Sequence, residues 1–305
     1  MDLVSDVIAV LRTGRPSASR VRVSAAHRYR FDDYQGAGFH MLLRGGGWLL
    51  RDGAEPVALG PGDLVFLPHG TAHVLSDAPS AAGAVPFDQA RPDSGGGVEF
   101  LCGKYRLDRA ITHPLLAELP DVVHLPAGPG RSADLRAAVE LLGAELHADR
   151  PGRQAVVTGL LDLLLVYLLR AGLDGAGGWR RALWDAPVAA ALEAMHTDPA
   201  RPWRIEQLAA LAGLSRATLV RRFARSVGQP PMSYLTRWRM TLAARLLRDT
   251  ELPLSVVAAR VGYASPFAFS HVFKRRLGLA PGQYRSRQRP DPGAADPTPP
   301  VRSSG

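Results

Sequence analysis

The stretch that decides the fold runs ARVGYASPFAFSHVFKRRLGLAPGQY, from Ala259 to Tyr284. Ser265 is a good N-cap, because its hydroxyl accepts an early backbone N–H, and Pro266 suits the first helical position. Phe269 and Phe273 stand four apart and predict the buried face of that helix. Gly262-Tyr263-Ala264 reads as the turn before it. Leu254, Val257, Ala258 and Val261 recur at helical spacing ahead of the turn, so the pattern is helix, turn, helix. The same grammar occurs about 50 residues earlier. There Ile205, Leu208, Ala209 and Leu211 give a short amphipathic helix, Gly213-Leu214 the turn and Ser215 the cap. Leu219 and Phe223 form the inner face of the second helix. Between the two units, Met232 to Leu247 predicts one long helix.

Charge separates this segment from the rest of the chain. The 305 residues carry a net charge of +9, but residues 1–180 sum to −2 and residues 181–290 to +12. A basic segment of that size attracts a polyanion, most often nucleic acid; a merely solvated basic surface is the plainer alternative. The length suggests two domains. The single cysteine, Cys102, excludes an internal disulfide framework. The start lacks a basic region before its apolar stretch, which argues against a signal peptide. The most apolar run, Leu160 to Leu169, is too short to span a bilayer. The expectation is a cytoplasmic protein with no membrane partner.

The amino-terminal texture is different. From about 20 to 77, short apolar runs alternate with Gly, Asp and Pro, including a two-residue hairpin signal at Asp52-Gly53. This predicts a small β-barrel or sandwich. Residues 78–97 read as a long loop. Helical spacing starts near 133, and a second helix carrying Val156 to Leu168 is apolar over more than one face. Such a helix is covered by its own domain or by a second subunit. Residues 172–183 are glycine-rich and read as a linker, and the tail 289–305 as disordered.

The string from Ala259 to Tyr284 resembles the DNA-binding domain of the AraC/XylS transcription regulators, through Gly262, Phe269-Ser270-His271-Val272-Phe273, Gly278, Pro281 and Tyr284. The resemblance implies two recognition helices placed in successive major-groove segments of double-stranded promoter DNA. By position in the motif, base edges would be read by Arg216, Ala217, Thr218 and Arg221, and by Phe267, Ala268, Ser270 and His271. Arg221 suits a guanine and Phe267 or Ala268 a thymine methyl. Arg222, Arg225, Lys274 and Arg275 suit phosphate. The sequence departs from many relatives at Pro266, Phe267 and His271, so the second unit is expected to read few bases directly.

Gly62, Pro68, Gly70 and His73 resemble the second cupin motif, while the first-motif region offers only His40 and no acid. The usual cupin metal set is therefore incomplete. His40, His73 and Cys102 are candidate ligands for zinc if the strands bring them together. The alternative is two hydrogen-bonded barrel histidines and a buried thiol. A redox role for Cys102 is the third option.

The expected architecture is α+β and multidomain. A cupin-like sensory or dimerisation barrel spans 1–125, a helical support or dimerisation segment 126–171 and a linker 172–183. An all-α double helix-turn-helix domain spans 184–288, followed by the tail. The expected function is a sequence-specific regulator, not an enzyme. It would respond to an unknown small-molecule or redox effector, act as a homodimer and contact RNA polymerase if it is an activator. A cupin enzyme with a DNA-binding appendage and a non-specific DNA-compacting protein are the rival readings.

Overall fold

The computed structural model describes residues 3–89, 97–108, 113–128, 133–148, 150–175 and 177–288. The tail 289–305, expected to be disordered, lies outside the described residues.

Two five-stranded sheets form the N-terminal half. One has the order β1 (Arg12–Val23), β9 (Val98–Leu107), β3 (Gly36–Arg44), β6 (Leu64–Leu67), β10 (Val123–Leu125). The other has β5 (Val57–Leu59), β4 (Gly47–Leu50), β7 (His73–Ser76), β2 (Arg28–Phe31), β8 (Val85–Pro86). Side chains alternate across each strand. Leu42 and Phe100 therefore point inward with Val23, Leu49 and Leu75 to fill the space between the sheets. Phe39, Met41, Leu101 and Tyr105 point outward into a second core under the helices. Gly103 on β9 allows that outward packing, since a Cβ there would lie 1.9 Å from the Phe39 ring.

The outer core is covered by α3 (Ala133–His147) and α4 (Arg153–Gly175). The Tyr105 hydroxyl donates to the Leu161 carbonyl of α4 at 2.8 Å. The apolar run expected to be ten residues is part of a longer helix. Among the described residues, α4 is the one helix long and apolar enough to cross a membrane. Its apolarity has a local cause: Val157, Leu161, Leu164, Leu165 and Leu168 are buried in the core.

Three sequence expectations change. Residues 172–183 are not a linker: α4 runs to Gly175, α5 (Gly177–Trp184) follows, and Trp179 is fully buried. Gly172 and Gly178 permit close packing instead of slack, against Leu119 and Glu118, and the Glu118 carboxylate accepts from the Trp179 backbone N–H at 3.0 Å. Asp52-Gly53 sits inside a six-residue connection between β4 and β5, with Gly53 at φ +70°, and is not a two-residue hairpin. The expected loop at 78–97 contains β8 and one 3-10 turn at Phe87–Gln89, while residues 90–96 are outside the described set.

The basic segment is helical throughout: α6 (Ala186–Thr197), α7 (Ile205–Leu211), α8 (Arg216–Val227), α9 (Pro231–Asp249), α10 (Leu254–Arg260), α11 (Pro266–Leu277) and α12 (Pro281–Gln288). Helix α9 joins the two helix-turn-helix units. Its neighbours include α1 (Leu3–Leu11), which reaches it from the N-terminal half.

Candidate nucleic-acid interface and barrel interior

Helices α8 and α11 are built alike because their ends carry the same chemistry. Ser215 and Ser265 cap them, accepting from Thr218 and Ala268 N–H. Gly228 and Gly278 close them in the left-handed conformation, each at φ 76°. Leu219, Phe223, Phe269 and Phe273 are fully buried, as their spacing predicted. Gly262 is required in the turn before α11: its φ is +80°, and a Cβ would lie 2.5 Å from the Ala200 carbonyl oxygen.

The anchored inner faces leave the opposite sides of both helices in solvent. Arg216, Ala217 and Arg221 are exposed and Thr218 is half-buried. Arg216 pairs loosely with Glu206 at 3.2 Å, with both side chains mostly exposed. In the second unit Phe267, Ala268 and His271 are exposed and Ser270 is half-buried. Phe267 is 88% exposed, which is unusual for a phenylalanine and leaves its ring without a hydrophobic partner in the fold. Arg225, Lys274 and Arg275 are exposed as well. Arg222 differs: its Nε donates to Asp185 at 2.5 Å, and the same carboxylate caps α6. Its first role is to tie α8 to α6, which spacing gave no means of foreseeing.

The barrel interior brings His40, His73 and Cys102 together from three strands. His40 Nδ1 lies 2.9 Å from Cys102 Sγ, and His40 Nε2 lies 2.7 Å from His73 Nε2. His73 Nδ1 lies 2.8 Å from the Thr71 carbonyl. That carbonyl accepts only, so His73 carries its proton on Nδ1 and accepts on Nε2. His40 must then donate from Nε2, and its Nδ1 accepts from the Cys102 thiol. Burial holds His73 down to about 4 and His40 well below its ordinary value, so both rings are neutral. Burial also pushes the Cys102 thiol up, which keeps it protonated.

The arrangement is a hydrogen-bonded chain and not a metal cage. The two contacts use opposite nitrogens of His40, so the three donors do not converge on a point. Among the described residues no group of three His, Cys, Asp or Glu side chains is arranged to hold a metal ion. The residues do not fit the expected zinc ion. Beside His40, with His27, Trp48 and Phe100 around it, the barrel has room for about one water-sized molecule.

Sequence reasoning missed a second polar network, at the junction of the two halves. His113 caps α2 (Pro114–Ala117) and accepts from Leu115 N–H on Nδ1. Its Nε2–H therefore donates to the Tyr234 hydroxyl of α9, 3.1 Å away, and Tyr234 donates to His196 Nε2 of α6 at 2.6 Å. His196 Nδ1 faces Asp6 of α1 at 3.4 Å. Burial holds His196 down to about 3, and burial with the neighbouring His196 holds His113 well below its ordinary value. No motif connects these positions, because they meet only when two domains dock.

Residues 2–174 match the cupin family and residues 208–287 the helix-turn-helix domain family. The chain is 37% identical over 304 residues to a Streptomyces antibioticus protein named as an AraC-like transcription regulator, covering 95% of this chain and 100% of that protein. It is 31% identical over 268 residues to the HTH-type transcriptional regulator AlkR of Acinetobacter baylyi, covering 81% of this chain and 87% of that one. Among solved structures, the DNA-binding domain of AdpA, in complex with a target DNA, is 34% identical. That match covers 34% of this chain and 94% of that chain, with a TM-score of 0.33.

Proposed function

The chain belongs to the AraC-like transcription regulators with an N-terminal cupin domain, and on that premise we propose how it reads DNA and what its cupin half contributes. Helices α8 and α11 enter successive major-groove segments on one face of promoter DNA, one helical turn apart. Arg221 contacts a guanine edge and Phe267 or Ala268 packs on a thymine methyl, while Arg216, Ala217, Thr218, Ser270 and His271 line the same reading edges. Arg225, Lys274 and Arg275 bind phosphate, and Arg222 reaches phosphate only with the guanidinium nitrogens that Asp185 leaves free. The observation that carries this reading is the exposure of Arg221, Phe267 and Ala268 with the cupin half docked.

The cupin domain acts as sensor and dimeriser, not as a catalyst. Its interior is packed, so a small-molecule effector acts by re-pairing the His40–His73–Cys102 chain; the buried, protonated Cys102 thiol does not suit a redox role. A second copy covers the exposed apolar side chains of α3 and α4, Leu141, Val156 and Leu163. The protein works in the bacterial cytoplasm, with RNA polymerase as a further partner if it activates.

Sequencing of genomic fragments bound by the full chain, followed by competition at fixed salt, tests the reading. The selected fragment should outcompete random DNA by at least about a thousandfold. Equal binding to both would leave only phosphate attraction and would remove the specific-regulator reading.

A further inference from the structure

The cupin half grips the DNA-binding segment near both ends of α9, the helix that joins the two reading units. Near the start of α9, the Tyr234 hydroxyl lies between His113 of the cupin half and His196 of the first unit. Near its end, Arg248 reaches Asp108 at 3.1 Å and the Val10 carbonyl at 3.4 Å. From α12, the Tyr284 hydroxyl donates to the same Asp108 carboxylate at 2.5 Å. Asp108 follows directly on β9, is 8% exposed, and donates its backbone N–H to the Leu11 carbonyl at the end of α1. The joining helix α9 and α12 of the second unit therefore meet at the Asp108 carboxylate, while its backbone N–H holds the end of α1.

These grips cover none of the exposed reading residues, so the cupin half does not mask the DNA-facing side. Its contacts instead fall on either side of the joint between the units. We infer that Asp108 is a positioning residue for DNA recognition. It holds the second unit, through Tyr284 and Arg248, at a fixed rotation relative to the first, and so sets the spacing between operator segments that the protein accepts. The inference rests on the operator-binding reading above.

The physical demand is steep. One base pair added between two segments turns the second by about 35° about the duplex axis and moves it by about 3.4 Å. A unit held on both sides of its joint cannot follow that turn. A unit released at Asp108 keeps its own core and its bond to the first unit through α9, and gains freedom to pivot at the end of that helix.

The test uses the full chain and the duplex recovered by genomic selection, together with the same duplex carrying one base pair inserted or deleted between the protected segments. The wild type should lose about tenfold or more in affinity on either change. Asp108→Asn and Tyr284→Phe should each narrow that loss to about threefold or less, leaving base preferences within each segment and the salt slope unchanged. Hydrogen exchange should show faster amides at the end of α9 and in α12 without loss of the cupin core. Variants that keep the wild-type spacing ratio would overturn the inference. So would variants that weaken equally at every spacing, which marks a stability role alone, or a wild type indifferent to spacing. A wild type that does not prefer the selected duplex to random DNA would instead defeat the operator-binding reading, and the inference with it.

Discussion

Lowering the pH from 7 to 5 should destabilise the folded chain sharply, because burial holds four histidines below their ordinary value, as neutral rings: His40, His73, His113 and His196. Burial holds His73 down to about 4 and His196 to about 3. It also holds His40 and His113 well below their ordinary value, with a neighbouring histidine adding to it in each case. Unfolded, each titrates near 6.5. The folded value lies below the unfolded one, so folding favours the neutral ring. That stabilisation is complete above pH 6.5 and is lost as pH falls toward the folded values. His73 and His196 each contribute a slope approaching 1.4 kcal/mol per pH unit in that window, or about 2 kcal/mol by pH 5, and His40 and His113 add in the same direction. His73 and His196, which lie in separate networks, together give about 4 kcal/mol, a large share of the total stability of a domain. Asp63, Asp77 and Glu99 all have lowered values and stay ionised when folded down to pH 5, so the window isolates the histidines. Urea unfolding at pH 7.5, 6.5, 5.5 and 5.0 measures the slope, and His196→Gln should remove close to one proton from it. Stability that is flat from pH 7 to 5, or an unchanged slope in His196→Gln, would refute the neutral assignment and the hydrogen-bond polarity built on it.

Two further outcomes are expected. Arg221→Ala should relax selectivity at one base position at a cost of about 1–3 kcal/mol, measured by binding to a set of singly substituted duplexes; a uniform loss across the set would assign Arg221 to phosphate instead. Leu141→Glu combined with Leu163→Glu should leave the folded monomer intact, since these side chains are 58% and 42% exposed, yet prevent self-association in sedimentation. A variant that still dimerises would place the subunit contact elsewhere.

The DNA-binding helices were readable from sequence because their determinants are local. An N-cap serine, two large apolar residues four apart and a left-handed glycine specify α8 and α11 without help from distant residues. Alternation with turn residues likewise marked the strands, and Gly262 marked a turn that no other residue fits. Local signals misled where glycine had two uses. In 172–183 Gly172 and Gly178 serve close packing against Leu119 and Glu118, and a count of small residues cannot distinguish that from slack.

What tertiary structure decided is the partnership of polar groups far apart in the chain. His40 and Cys102 were candidates from sequence, but the register of β3 against β9 sets Cys102 on one nitrogen of His40 and the facing sheet sets His73 of β7 on the other, a chain in place of a metal site. The pairing of Asp108 with Tyr284, and of His113 with Tyr234 and His196, carried no sequence signal. Each is an ordinary polar residue whose role comes from burial at a domain junction, where an unpaired group is costly and a paired one holds the halves together. The sequence alone therefore determined the two helix-turn-helix units. The docked fold determined how the cupin half holds them, because that depends on side chains more than 100 residues apart meeting in a space without water.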